Sequence, residues 1–325
     1  MMKLELVPKK NSFINMKGPL FYAKILLFGE YGIIKDSKGL SIPYNSYKGG
    51  LKIKDLQLND SQKKSHQIIK NYISFLKSID SLIIDFDWKK IKIDLASNIF
   101  FESDIPQRYG LGSSGALVAS IYDRYALNKI DISKSLTNNK LQKLKNIFSI
   151  MESYFHGKSS GLDPLNSYLG VPILIKSNNN IESPGIPSQD FTGSGAVFLI
   201  DSGLEGDTAP MVDLFMHNMK DELYSKIIKE DFVSVTDKCV DDFLSGSYKK
   251  LFDHLKELSK IVFNNFKPMI PDKYIDIWLK GINSNVYYLK LCGSGGGGYI
   301  LGFTKNLNNT KKLLSGHKLQ VVYNF

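Results

Sequence analysis

Residues 106–120 read PQRYGLGSSGALVAS, a run rich in glycine and serine that leads directly into a helical pattern. Beyond the glycines, Leu117, Ile121 and Tyr125 recur every four residues, as one face of a helix requires. The glycines therefore lie at a helix N-terminus, where unsatisfied N–H groups and a partial positive charge attract an anion. A plain structural turn is the alternative. We predict a phosphate-binding loop that consists of Gly110, Leu111, Gly112, Ser113, Ser114 and Gly115.

This run differs from two common nucleotide-binding motifs. The chain contains no GxxxxGK[ST] sequence, and no strand is followed by GxGxxG with a distant acidic residue. A nucleotide must therefore be held in another way. The Ser114 hydroxyl on the first helical turn can ligate a hard cation, and Glu152 supplies a carboxylate; a plain N-cap serine and a solvated glutamate are the alternatives. We predict a site for ATP and Mg²⁺, with Ser114 and Glu152 as the metal ligands.

Upstream of the loop, FYAKILLF at 21–28 is an apolar run with high strand propensity, and Gly29 ends it. Lys24 lies inside this run, where a lysine costs stability unless it is paired. Asp163, in the segment HGKSSGLDP, is a suitable partner, although it could be only a turn former. Phosphoryl transfer needs mainly positioning and electrostatics, so we predict that Asp163 orients the attacking hydroxyl while Lys24 stabilises the transferring charge.

The apolar spacing elsewhere in this half predicts both strands and helices. The alternating stretches that begin at Leu51 and Ile91 indicate strands, and residues 61–82 have helical spacing. A further helix precedes His156, with one apolar face. It places Glu152 one turn before His156.

The second half begins after a run rich in Asn, Ser, Gly and Pro at 175–195. The segments AVFLIDSG, VYYLKLC, YILGFT and KLQVVYNF predict strands, with helices between them. We therefore expect an α+β chain of two domains, residues 1–190 and 191–325, without the alternation of a doubly wound sheet. The loop 293–298 has five glycines in six residues. Since this exceeds what a hairpin needs, we expect it to pack against the phosphate-loop helix or the acceptor substrate.

Composition indicates a soluble globular protein. Among 325 residues, 43% are hydrophobic and 23% charged, and no apolar run approaches the roughly 20 residues that span a bilayer. The N-terminal residues show no secretory signal, so we expect a cytoplasmic protein without a membrane partner. Cys239 and Cys292 are predicted to be buried thiols. The net charge of +10 comes almost entirely from lysine, with arginine only at Arg108 and Arg124, which disfavours nucleic-acid binding.

Four segments, AKILLFGEY, PQRYGLGSSGALVA, HGKSSGLDP and LCGSGGGG, together resemble the signature motifs of the GHMP kinases, in the same order and over nearly the whole chain. The resemblance implies an N-terminal domain of the ribosomal-protein-S5-like type with a left-handed βαβ crossover, a C-terminal ferredoxin-like domain, and an active site between them. It also implies that Lys24 and Asp163 are the catalytic pair. The acceptor site implied by the resemblance comprises Glu30, Tyr31, His156, Thr208 and Gly295.

Within this family, the spacing of Glu152, His156 and Asp163 resembles that of mevalonate kinases, which implies transfer of a phosphoryl group from MgATP to the hydroxyl of mevalonate. Tyr31 and Gly115 stand where those enzymes usually have His and Ala, and both resemble phosphomevalonate kinases instead. A phosphomevalonate kinase and a non-catalytic ligand sensor are therefore the alternatives. The galactokinase sugar signature is missing, and Asp163 disfavours homoserine kinase. A homodimer is compatible with the sequence.

Overall fold

The computed structural model describes residues 18–54, 57–133, 135–176 and 180–325. In its N-terminal half one antiparallel sheet has the order β1-β2-β4-β5, and β3 also pairs with β2. Its strands are β1 (Phe21–Phe28), β2 (Gly39–Ile53), β3 (Ile99–Ser103), β4 (Ile173–Ile175) and β5 (Ile181–Glu182). The strand predicted at 21–28 is thus confirmed.

Five helices cover this sheet in the described part of the N-terminal half, and their apolar faces share one hydrophobic cluster with β3. They are α1 (Asp60–Leu76), α2 (Trp88–Ala96), α3 (Ser113–Tyr125), α4 (Asn138–His156) and α5 (Leu162–Leu169). The predicted helices at 61–82, after the glycine run and before His156 are confirmed. The first of them ends at Leu76 rather than at residue 82.

The strand predicted from the alternation that begins at Ile91 is wrong, because this stretch lies in α2. Asp87 caps the helix by accepting a hydrogen bond from a first-turn backbone N–H. The helix buries Ile91 and Asp94, and Ile93 is 56% exposed. The Asp94 carboxylate accepts a hydrogen bond from Nε of Arg124 at 2.7 Å. Tertiary contacts on one helical face therefore outweigh the alternating pattern.

The other alternating stretch is confirmed in part. Residues from Leu51 complete β2, which ends at Ile53, and positions 55 and 56 lie outside the described residues. β3 is a strand that the sequence patterns do not predict. It pairs antiparallel with this part of β2, with Ile99 opposite Ile53, and so completes the sheet above α1.

The C-terminal half has a second antiparallel sheet with the order β7-β8-β6-β9. Its strands are β6 (Ala196–Asp201), β7 (Tyr287–Leu291), β8 (Tyr299–Thr304) and β9 (Leu319–Asn324), at all the predicted places. The helices are α6 (Thr208–Asn218), α7 (Glu222–Ile227), α8 (Val233–Leu244), α9 (Tyr248–Asn265), α10 (Ile275–Ser284) and α11 (Leu307–Leu313). The order of strands and helices is that of a ferredoxin-like fold.

Short helical turns complete the described chain. Three are 3₁₀ helices, at Gly32–Lys35, Lys267–Met269 and Asp272–Tyr274, and Ile228–Phe232 is a π-helix between α7 and α8. None of the helices in the described residues is both long and apolar enough to cross a bilayer.

The two sheets pack against each other at the end of β1. The ring of Phe28 stacks on that of Phe303 in β8 with centroids 5.4 Å apart, and one hydrophobic cluster contains buried residues of β1, β2 and the second sheet. Cys239 and Cys292 are both buried and unpaired, as predicted. The predicted domain boundary falls between β5 and β6, and its position stays a prediction.

Candidate active site

The glycine run forms the N-terminus of α3, as predicted. Gly112 is the N-cap with φ +77°, and Gly110 has φ +76°, a left-handed conformation that glycine adopts most readily. A Cβ on Gly110 would lie 2.6 Å from the carbonyl oxygen of Cys292. The N-cap supplies no side-chain acceptor, so the first-turn N–H groups are available to an anion.

Gly115 has a different role from the other glycines of the loop. It is buried in the first turn of α3, and a Cβ there would lie 2.6 Å from the carbonyl carbon of Asp163 and 2.7 Å from the nitrogen of Pro164. The small residue therefore lets α5 approach α3. Gly115 holds Asp163 close to the loop through helix packing.

Lys24 and Asp163 form an ion pair, with Nζ 3.0 Å from Oδ1. Lys24 extends from the middle of β1, and its backbone N–H donates to the carbonyl of Leu111 at 3.0 Å, which attaches the strand to the loop. Asp163 lies in the first turn of α5, where the helix dipole stabilises a carboxylate. Gly112 lies over the pair, since its Cβ would meet Lys24 Cγ at 3.1 Å and Asp163 Oδ2 at 3.4 Å.

The charge of Lys24 depends on this partner. The lysine side chain is 7% exposed, whereas that of Asp163 is 34% exposed and reaches the cleft. Burial alone would lower the pKa of Lys24, but the charge and hydrogen bond of Asp163 outweigh it and raise that pKa above its usual value. Lys24 is therefore a permanent cation at the base of the loop.

Glu152 and Ser114 lie together on the other side of the loop. The Ser114 hydroxyl donates to Glu152 Oε1 at 3.1 Å and lies 3.0 Å from Nε2 of His156. The Ser159 hydroxyl donates to the other carboxylate oxygen. Burial, followed by the charge of Asp163, raises the pKa of Glu152 to about 8, against hydrogen bonds from the two serines. A nearby cation would stabilise its ionised form.

The loop 293–298 packs against residues 108–110 at the start of the phosphate loop, just before the helix that was predicted as its partner. A Cβ on Gly298 would lie 2.7 Å from Cα of Tyr109, and one on Gly297 would lie 2.6 Å from the backbone of Glu205. Gly295 approaches the carbonyl of Met269 in the same way, at 2.6 Å. Each glycine removes a side chain where two backbones meet, so three loops come together at one end of the molecule.

Tyr31 and Thr208, two of the predicted acceptor residues, both contact this loop at Ser294. The Tyr31 hydroxyl donates to the Ser294 carbonyl at 2.6 Å, and the Ser294 hydroxyl donates to Thr208 Oγ1 at 3.3 Å. The Tyr31 ring contacts those of Phe215 and Phe266, with centroids 4.8 and 5.5 Å away. The described neighbours of Tyr31 therefore include two aromatic rings and a serine.

Comparison with known proteins decides the family. Residues 74–170, which include α3, α4 and α5, match the family described as GHMP kinases N terminal domain. The chain is 22% identical to the mevalonate kinase of Dictyostelium discoideum, in an alignment that covers 96% of this chain and 94% of that protein. Residues 74–170 of this chain are a GHMP kinase N-terminal domain. The family resemblance of its four motifs is thus confirmed.

Solved structures confirm the α+β fold of this chain. The L. major mevalonate kinase in complex with R-mevalonate superposes with a TM-score of 0.62 at 17% identity, covering 93% of this chain and 91% of that one. The Streptococcus pneumoniae phosphomevalonate kinase superposes with a TM-score of 0.60 at 14% identity, covering 94% and 98%. Both the mevalonate and the phosphomevalonate branches therefore share this architecture.

The donor atoms at Ser114 and Glu152 fit a magnesium ion. One hydroxyl and one carboxylate oxygen are hard ligands, and Mg²⁺ commonly takes one or two protein oxygens together with phosphate oxygens. Within the described ranges, no group of three or more His, Cys, Asp or Glu side chains could hold a metal alone. A magnesium ion at Ser114 and Glu152 would need further oxygen ligands, which nucleotide phosphates could supply.

The structure places the predicted acceptor residues at two different locations. Tyr31, Thr208 and Gly295 lie around the glycine-rich loop, whereas His156 contacts Ser114 on the side of Glu152. The carboxylate of Glu30 is paired with Lys290 in the interior. The acceptor roles of His156 and Glu30 stay predictions, and both side chains have other partners here.

Three residues around this candidate site were missed by sequence reasoning. Ser159 donates to Glu152, Ser294 joins Tyr31 to Thr208, and Lys290 pairs with Glu30. Lys290 gave a signal that could have been used, because it is a charged residue within the apolar strand VYYLKL, just as Lys24 is within FYAKILLF. The two serines stand in loops without any such signal.

Proposed function

We propose that this protein transfers the terminal phosphoryl group of ATP to the hydroxyl of a small molecule, and that the molecule is mevalonate. The observation that carries the proposal is the ion pair of Lys24 and Asp163 directly beneath Gly112 of the phosphate loop. A buried cation and a carboxylate that reaches the cleft, both beside an anion-binding helix terminus, are the groups that phosphoryl transfer requires.

The mechanism assigns one task to each of these groups. The first-turn N–H groups of α3 bind the phosphates and orient them. The carboxylate of Asp163 orients the acceptor hydroxyl and takes its proton as the oxygen bonds to the terminal phosphorus and the bond from that phosphorus to ADP breaks. Lys24 stabilises the charge on the transferring group and keeps Asp163 in place.

Ser114 and Glu152 would hold Mg²⁺ through their hydroxyl and carboxylate oxygens. Held by these two residues, the ion would supply positive charge that offsets the charge of the phosphates. Ser159, which donates to Glu152, would keep the carboxylate oriented toward the loop.

Mevalonate is favoured over phosphomevalonate by the character of the acceptor side. A second phosphate group needs basic side chains that are free to bind it. Tyr31 contacts two aromatic rings and the Ser294 carbonyl, and Lys290, which lines the same pocket, is already paired with Glu30. Arg108 lies in the neighbouring loop, but it is exposed and has Glu205 as a partner at 3.6 Å. The relatives named as mevalonate kinases support the same choice.

A phosphomevalonate kinase is the second candidate, based on Tyr31 and Gly115. Gly115 is weak support for this candidate, because the contact of α3 with Asp163 and Pro164 already requires a glycine at that position. Tyr31 remains as the residue that could distinguish the two acceptors. Its hydroxyl is engaged with Ser294, so an acceptor would meet its ring and the loop together.

The first test is a coupled assay of ADP release with MgATP, in which mevalonate, phosphomevalonate, homoserine and galactose are offered separately. We expect turnover with mevalonate. Turnover with phosphomevalonate alone would establish the second candidate. Binding of an acceptor without ADP release would indicate the ligand sensor, and it would contradict the kinase proposal.

A further inference from the structure

Glu30 and Lys290 form a buried ion pair between the two sheets. Their side chains are 6% and 5% exposed, and they are 260 positions apart in sequence. Glu30 follows β1 by two residues, and Lys290 lies in β7, where its ammonium group also donates to the carbonyl of Leu291 at 2.8 Å. Neither residue contacts the Lys24–Asp163 pair within hydrogen-bonding distance, so the mechanism above leaves them unused.

The Glu30–Lys290 pair is one of two contacts that join residues 30–31 to residues 290–294. Glu30 bonds to Lys290, and the next residue, Tyr31, bonds through its hydroxyl to the carbonyl of Ser294, four positions after Lys290. One segment continues from the strand that carries Lys24, and the other leads into the glycine-rich loop. Two adjacent bonds fix both the distance and the relative orientation of these segments, which a single bond cannot do.

The backbone at Tyr31 needs such support. Its φ of +58° lies in the left-handed region, which is a strained conformation for a bulky residue. Strained residues persist where the surrounding contacts over-determine them, and they cluster at functional sites. Here the contacts are the ion pair on one side and the bond to Ser294 on the other.

The surroundings of the pair make its attraction strong. Phe232, Leu258 and Val262 line a pocket beside Glu30 and Lys290, so water does not screen the two charges. Burial raises the pKa of Glu30, and Lys290 opposes that rise. A charge pair in such a place costs more to desolvate than a pair of apolar side chains, and this favours a role beyond stability.

We propose that the Glu30–Lys290 pair is a positioning device, which holds Tyr31 against the glycine-rich loop and so shapes the acceptor side of the cleft. The proposal rests on the proposed kinase function, because the kinetic part of its test requires turnover of the acceptor. The pair is buried, and it acts on the cleft through Tyr31.

The test compares single and double substitutions. Glu30→Gln and Lys290→Met each leave one polar group unpaired in the interior, and both should lower the melting temperature. The double variant Glu30→Leu/Lys290→Met replaces the pair by apolar side chains and should recover most of that loss. We expect its acceptor KM to be about 10- to 100-fold above that of wild type while the KM for ATP is unchanged.

A matched control is the other buried pair, Asp94 and Arg124, with side chains 8% and 16% exposed and no contact with the loop. Asp94→Asn/Arg124→Met should change stability without changing the KM of the acceptor. A Glu30→Leu/Lys290→Met variant that is stable and has the wild-type KM for the acceptor would overturn the proposal, because the pair would then be purely structural.

Hydrogen exchange separates this proposal from the kinase function. Loss of the pair should increase amide exchange at residues 29–32 and 292–298 in the free protein, and the Asp94/Arg124 variant should not. If wild type releases no ADP with any acceptor but this exchange pattern is found, the kinase function fails and the positioning role stands. Unchanged exchange in the double variant would refute the positioning role even if wild type is active.

Discussion

At the residue scale, the site is built on one cation and two carboxylates in unequal surroundings. Lys24 is held in the interior by Asp163, and Asp163 is half in the cleft because the first turn of α5 presents it there. Glu152 is buried, and serine hydroxyls bond to both of its oxygens. The two carboxylates therefore differ through their surroundings. Asp163 is suited to a reacting hydroxyl, and Glu152 is suited to a bound cation.

Asp163→Asn should lower kcat by about 10²–10⁴-fold, because the amide keeps an oxygen for Lys24 but loses the charge and the basicity. Nucleotide affinity should be unchanged, since the loop N–H groups are intact. Steady-state kinetics and a nucleotide titration measure the two quantities. The control is Asp60→Asn, also in the first turn of a helix but highly exposed, which should keep wild-type turnover. A kcat that survives in the Asp163 variant would contradict the mechanism.

Gly115→Ala should destabilise the protein by about 1–3 kcal/mol, because the added methyl group overlaps the backbone of Asp163 and Pro164. It should also lower kcat, as α5 must move away from α3 and takes Asp163 with it. Thermal unfolding and kinetics are the measurements. Gly185→Ala has open space around it and should change stability by less than about 0.5 kcal/mol. Equal effects in both variants would show that the α3–α5 contact is unimportant.

At the element scale, the decisive feature is the meeting of three loops. The phosphate loop, the turn that contains Glu205 and Gly206, and the glycine-rich loop come within backbone contact of each other, and backbone hydrogen bonds join them, such as Gly206 N–H to the Arg108 carbonyl at 3.0 Å. The turn and the glycine-rich loop come from the second sheet, whereas the phosphate loop comes from the first. The nucleotide side of the cleft therefore depends on both halves of the chain.

Gly298→Ala should separate these loops. The residue has φ +69°, which costs about 1–2 kcal/mol for alanine, and its Cβ would lie 2.7 Å from Tyr109. We expect a lower melting temperature and a higher KM for ATP. Gly316→Ala, with open space around it and no positive φ, is the control and should match wild type. A Gly298 variant with the wild-type KM for ATP would mean that the loop contact does not position the phosphate loop.

At the scale of the whole molecule, the two sheets are joined by a common core. The hydrophobic cluster that contains β1 and β2 also contains β6, β7 and β8, and Phe28 lies between Phe243 and Phe303. The Glu30–Lys290 pair crosses the same interface. The cleft therefore lies at the edge of one continuous hydrophobic core, although the strands form two separate sheets.

We accordingly expect the described halves to unfold together. Calorimetry should give one transition, with a calorimetric enthalpy close to the van't Hoff enthalpy, and MgATP should raise its midpoint as a single event. The halves 1–190 and 191–325, expressed separately, should lack cooperative unfolding, because each would expose part of the shared core. Two separate transitions in the intact chain would contradict this expectation and would support independent domains.

Local patterns in the sequence were enough for the strands β1 and β6 to β9, for the helices α1, α3 and α4, and for the position of the phosphate loop at a helix N-terminus. They were also enough for the pairing of Lys24 with Asp163, because a charge in an apolar strand needs a partner. The strands and helices follow from the periodicity of neighbouring residues, and the phosphate loop follows from glycines that adopt special φ values. The need of Lys24 for a partner follows from the cost of desolvating a single buried charge.

Other features were decided only by the tertiary structure. The stretch at Ile91 became a helix because Asp94 bonds to Arg124, β3 formed because β2 offered an edge, and Gly115 proved to be a packing residue for α5. The Glu30–Lys290 pair joins residues 260 positions apart. Such contacts have no local signature, since burial and pairing depend on which distant backbone arrives at the same place.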